Sequence, residues 1–179
     1  GWFLLAFAAL LLVYRGALTG QVPLYLSNRS TVEALAELTA AHPRLRFLDL
    51  GAGLGSIVCP LAKMRPDARI VGVENAPATW LIGRLRTLGL PNCDWRWGDL
   101  WQCSLAEQDV VYAFLSPVPM PELWEKASRE MPAGSLFISN SFPVPGITPE
   151  RIVELDDRRQ TSLYCYRIPG PHTDESEAS

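Results

Sequence analysis

Between Arg46 and Asn140, short apolar runs and helical stretches take turns, and this alternation constrains the fold more tightly than any other feature of the sequence. "RFLDL", "RIVGVE", "CDWRW", "DVVYAFLS" and "SLFISNSF" read as strands. "GSIVCPLAKM", "APATWLIGRLRTLG" and "MPELWEKASREM" read as helices, the second with a proline in its first turn and a glycine after its last. Strands separated by helices are joined by crossovers, so they line up parallel and need cover on both faces. "RIVELDD" and "TSLYCYRI" follow with no helix between them and predict a terminal antiparallel pair. The expected fold class is therefore α/β: a Rossmann-like, mainly parallel sheet with helices on both faces, ending in that pair and preceded by an N-terminal apolar helix.

The N-terminal helix is expected over residues 1–18, where Trp2 to Tyr14 is an unbroken apolar run. A bilayer span takes about 20 residues, so a membrane anchor, a signal-peptide core and a buried core helix all compete. "ALTGQ" is a poor cleavage site and the run is apolar all round, which favours the anchor. Arg15, Arg29, Arg44 and Arg46 follow it, which puts a single span with the body of the protein on the cytoplasmic side. Residues 19–29, with a proline and turn formers, read as an extended connector. Asn28 or Ser30 then caps a helix, "STVEALAELTAA", carrying Val32, Leu35, Ala36 and Leu38 at helical spacing, and Pro43 closes it. The main domain is expected over 30–168, and the polar, acidic 169–179 as a disordered tail.

With 179 residues, 48% of them hydrophobic, the chain can bury one good core but not two. A net charge of −3 leaves no overall electrostatic footprint for nucleic acid. Four cysteines without a C-x-x-C pair and two histidines argue against a metal site. His42 and His172 are poor catalytic candidates.

The first strand ends in "FLDLGAGLGS", with Gly51, Gly53 and Gly55 at alternate positions. Such a turn fits a dinucleotide, another adenosine cofactor or no ligand at all. Open parallel sheets bind ligands at the carboxyl ends of their strands. Glu74 ends the second strand, about 20 residues past the glycines, where a carboxylate accepts hydrogen bonds from ribose hydroxyls. The row lacks the G-x-G-x-x-G spacing of the dinucleotide fingerprint. Asp49 precedes it in the strand, placed to receive an amino group or to fix the loop. Asp99 follows the third strand, placed to meet an adenine amino group, with Leu100 and Trp101 offering apolar contact. Three carboxylates without a basic phosphate partner suit a cationic sulfonium cofactor, S-adenosyl-L-methionine, better than a pyrophosphate.

"FLDLGAGLGS", "VGVE", "GDLW" and "DVVYAFLS" resemble successive motifs of class I S-adenosylmethionine-dependent methyltransferases across Phe47 to Ser141. More narrowly, the apolar N-terminal run, "VPLYLSNRSTVEAL" and "FLSPVPMPELWEKASREMPAGSLFISNSFPVPG" resemble the small membrane-anchored protein-lysine methyltransferases related to the mitochondrial enzyme acting on the ATP synthase c-subunit. The resemblance implies methyl transfer to a lysine of a membrane or membrane-proximal protein. It places Ser116 and Pro117 where such enzymes position the nucleophile, with backbone carbonyls of "FLSPVP" as acceptors for an amine. A lipid or small apolar acceptor, and a non-catalytic cofactor-binding scaffold, stay open as alternatives. Asn140 and Ser141 are expected at the acceptor pocket. Trp95, Trp97, Trp101 and Trp124 read as packing rather than an aromatic cage, and Glu122, Glu125, Lys126 and Arg129 as the solvated face of a helix.

Overall fold

The computed structural model describes residues 21–170. Seven strands form one sheet: β1 (Arg46–Leu50), β2 (Arg69–Glu74), β3 (Cys93–Trp97), β4 (Val110–Ala113), β5 (Leu136–Asn140), β6 (Arg151–Glu154) and β7 (Ser162–Arg167), in spatial order β3-β2-β1-β4-β5-β7-β6. The first five are parallel, and β7 runs antiparallel to both β5 and β6. Four helices accompany them: α1 (Gln21–Leu38), α2 (Val58–Met64), α3 (Pro77–Arg86) and α4 (Met120–Glu130). The expected mainly parallel sheet with a terminal antiparallel pair is the observed one.

Side-chain alternation along the strands separates two cores. Phe47, Ile70, Tyr112 and Ile138 face one way and pack with Val32 and Leu35 of α1 and Val58, Leu61 and Ala62 of α2. Leu48, Leu50, Val71, Val111 and Phe137 face the other way, onto Met120, Leu123 and Ala127 of α4. Order reverses about β1, since β2 lies on one side of it and β4 on the other. The carboxyl ends of β1, β2 and β4 therefore frame the crevice where a ligand sits in such sheets.

Three local expectations need correction. The connector over residues 19–29 is helical from Gln21, because Pro23 falls in the first turn of α1, where its missing N–H breaks no helical hydrogen bond. The strand read in "DVVYAFLS" stops at Ala113, level with Leu50, the last residue of β1. Lys126 is not on a solvated face: it is buried on α4, where its Nζ meets Glu130 Oε1 at 2.8 Å. The Trp2–Tyr14 run and residues 171–179 lie outside the described residues, so the expected anchor and tail do too. Among the described residues no helix is long and apolar enough to cross a membrane.

Candidate functional site

The loop after β1 is folded back onto β2. Gly51 and Ala52 both donate their N–H groups to the carbonyl of Val73, at 3.0 and 2.9 Å, and Gly55 donates to Ala52 at 2.9 Å. All three glycines have positive φ, and Gly53, at +56°, shows what that achieves. A Cβ there would meet nothing within 4 Å, so the residue is glycine for its backbone angle while its backbone faces open space. At Gly51 the constraint is also one of room, since a Cβ would lie 3.1 Å from Leu115 Cδ2. That approach brings the loop after β4 against the glycine loop.

Glu74 ties the loops after β1 and β2 together. It is only 8% exposed; Oε2 accepts the Gly53 N–H at 2.8 Å and Oε1 accepts the Ala76 N–H at 2.8 Å. Each oxygen keeps a second acceptor site for a ligand hydroxyl. The Gly98 N–H donates to the Glu74 carbonyl at 3.2 Å, which sets the turn after β3 beside the end of β2. In that turn Asp99 is exposed, and its Oδ1 accepts the Trp101 N–H at 3.1 Å. Leu100 is half-buried against the α4-side core.

Asp49 is different. It is 3% exposed, and no hydrogen bond among the described residues reaches its carboxylate. Burial first, and then the negative charge of Glu74, push its pKa up to about 8. A buried acid without a partner favours a cation at its side. Its parallel-strand neighbour on β4 is Tyr112, a buried residue that sequence reasoning did not single out. The Tyr112 hydroxyl accepts a hydrogen bond from Asn140 Nδ2 at 2.9 Å, and Ser141 Oγ donates to Asn140 Oδ1 at 2.6 Å. Ser141 holds φ +69°, in the left-handed region. The parallel register places Tyr112 level with Asp49 on the same face.

Ser116 and Pro117 lie in the exposed loop beyond β4, with the Leu115 side chain tucked against Gly51. The Pro117 carbonyl accepts the Met120 N–H at 3.2 Å and so begins α4. The structure thus brings Asp49, Gly51, Gly53, Gly55 and Glu74 into one constellation and sets Asp99, Leu100, Ser116 and Pro117 around its rim.

Trp95, Trp101 and Trp124 pack as expected, whereas Trp97 is 60% exposed at the end of β3. The Trp95 ring fills the space over Gly72 and Gly83 and donates its indole N–H to the Trp80 carbonyl at 2.8 Å. Burial pushes the Cys93 and Cys165 thiols up to about 12 and about 11, which suits packing rather than nucleophilic roles. Among the described residues no group of side chains is arranged to hold a metal ion.

The sheet order, the back-folded glycine loop and the acidic strand ends are those of the α/β methyltransferase fold. An RNA methyltransferase from Salinibacter ruber, solved in complex with S-adenosyl-L-homocysteine, shares it with a TM-score of 0.71 and 25% identity over 83% of this chain and 96% of that one. The profile of the ANTKMT methyltransferase domain matches residues 49–151, and the chain belongs to that family. The adenine nucleotide translocase lysine N-methyltransferase of Mus musculus is 32% identical over 163 residues, 84% of this chain and 65% of that protein. A protein-lysine N-methyltransferase of Saccharolobus islandicus is 24% identical over 84% of this chain and 96% of its own length. The chain thus spans about two thirds of its mouse relative.

Proposed function

We propose that this chain is an S-adenosylmethionine-dependent methyltransferase that modifies a lysine of a membrane or membrane-proximal protein, held at the membrane by its Trp2–Tyr14 segment. The observation that carries the reading is Asp49, a buried carboxylate with no protein partner beside a positive-φ glycine loop. These residues fit a cationic adenosine cofactor. Asp49 would hold its amino group, Glu74 its ribose hydroxyls through the free acceptor sites, and Asp99 with Leu100 its adenine edge. Bound S-adenosylmethionine supplies an activated methyl group on a sulfonium. The Leu115 contact with Gly51 keeps the acceptor loop next to the cofactor loop, so the chain contributes chiefly proximity. The Ser116 carbonyl and the Asn140 side chain are the acceptors that orient an incoming amine. Half-buried Leu115 and exposed Phe114 give the approach an apolar mouth, which favours the neutral, nucleophilic amine over the ammonium.

The names of the mouse and Saccharolobus relatives support a lysine acceptor. The test is to incubate the protein with methyl-labelled S-adenosylmethionine and host membranes. Label in a protein band, mapped by mass spectrometry to lysine, is the expected result. Label in the organic extract instead would transfer the reading to a lipid acceptor, and no turnover on any fraction would leave a cofactor-binding scaffold.

A further inference from the structure

Helix α3 presents leucines to solvent where an ordinary surface helix presents charge. Gly83 and Thr87 are buried on its inner side and Trp80 is half-buried, because the Trp95 ring already occupies the space against the sheet: a Cβ on Gly83 would overlap it. The helix therefore packs close through a glycine, and its leucines are not needed in the core. Leu81 and Leu85 instead point outward one helical turn apart, 53% and 60% exposed, and Leu88, in the turn just past the helix, is 59% exposed. At the sheet edge, Trp97 at the end of β3 is 60% exposed and lies at a tilt against half-buried Trp80, with ring centroids 5.4 Å apart. Exposed Arg84 flanks the leucines on one side; on the other, Arg86 donates to the Leu54 carbonyl at 2.8 Å.

We infer that the α3 and β3 edge is a membrane-docking surface whose occupant is an anionic bilayer. Leucines on one face, a tryptophan at the margin and arginines at the flanks make the composition of a helix lying in the headgroup region, with the arginines meeting lipid phosphates. Trp97 supplies the amphipathic ring favoured at that depth. Such contact would orient a domain that a single N-terminal anchor does not by itself orient, and the inference rests on the tethered reading above. It brings the α3 side of the domain, next to the glycine loop through Arg86 and Leu54, to the bilayer surface.

The test uses the full chain with vesicles of phosphatidylcholine plus phosphatidylglycerol, or of phosphatidylcholine alone. A variant carrying L10E and L11E disables the apolar run and leaves the ridge. It is expected to float with anionic vesicles, weakly and salt-sensitively, and not with neutral ones. Adding L81E and L85E is expected to lower that flotation at least about tenfold, given the apolar area withdrawn from lipid contact. In the otherwise unaltered chain, hydrogen exchange over 77–97 is expected to slow on anionic vesicles, and L81E with L85E to remove the slowing. Flotation of the L10E and L11E variant equal to that of the unaltered chain would remove the anchor and not the ridge. Exchange over 77–97 unchanged by anionic vesicles, or an L10E and L11E variant that never floats, would overturn the docking surface. A ridge variant that changes only the oligomeric state would make the ridge a self-association face, and would overturn it equally.

Discussion

Two acidic side chains on opposite faces of the sheet, Asp49 and Glu130, are resolved in opposite ways. Glu130 at the end of α4 has its own company: Lys126 Nζ at 2.8 Å, the Leu105 N–H at 3.1 Å and Arg129 at 3.7 Å. Burial pushes its pKa up, but these partners outweigh burial and hold it below the usual carboxylate range. Asp49 on β1 is more deeply buried, has no such company and is pushed up to about 8. The difference separates an acid that the fold itself neutralises from one that it leaves without a partner among the described residues. Glu130 joins α4 to the loop before β4 and is complete within the fold, whereas the proposed reading has Asp49 completed by a cationic cofactor.

The largest expected effect comes from removing the ionisable group of Asp49. Asp49→Asn should weaken S-adenosylmethionine binding by about 100-fold, near 3 kcal/mol, the scale of a hydrogen bond to a charged group. It should also raise the melting temperature of the cofactor-free protein above pH 8, where the native aspartate would otherwise be ionised without a partner. Calorimetric titration and a melting curve check both. Lys126→Met attacks the other side of the comparison by leaving Glu130 with weaker partners. Losing one member of a buried pair costs about 3–5 kcal/mol, and Glu130, being part-exposed, should lose about 2 kcal/mol in urea denaturation with cofactor affinity unchanged.

pH should move the two acids in opposite directions. Because the folded pKa of Asp49 lies above its unfolded value of about 3.9, the native state binds more protons between the two. The Asp49 contribution to cofactor-free stability therefore falls as pH rises from about 4 to about 8. Glu130, held low, contributes stability above its unfolded pKa and loses it as pH drops through the acid range. Binding of a cationic cofactor requires ionised Asp49, so affinity should climb by up to about tenfold per pH unit below pH 8 and level off above it. The smallest effect is expected at Gly53. Gly53→Ala meets no atom, so only its left-handed backbone opposes it, at about 1–2 kcal/mol; Gly53→Asn should cost less, as read from melting curves.

The same contrast explains what the sequence made legible. The alternation of runs was enough to place all seven strands and the three helices that follow β1, β2 and β4, because a half-buried pattern of period 2 or 3.6 is a local property. Glu74 was identified by spacing, and its place at the strand end was right. Spacing could not show that both its oxygens already hold backbone N–H groups, since that depends on how the glycine loop folds back onto Val73. Lys126 looked like a solvated residue because the partner that buries it, Glu130, answers to the β3–β4 loop as well as to its own helix. Tyr112 and Asn140 meet across a strand pair whose register no single segment encodes. The inverted exposure of α3 depends on a tryptophan from β3 filling the place of its glycine.

Proton release on cofactor binding tests directly whether Asp49 is held protonated until the cofactor arrives. Calorimetric titration of S-adenosylmethionine at about pH 6.5, in two buffers of different ionisation heat, measures the protons exchanged. Close to one proton released per cofactor bound by the unaltered protein, and none by Asp49→Asn, is the predicted result. Binding of equal strength with no proton released, or with the same release from the Asn variant, would contradict it.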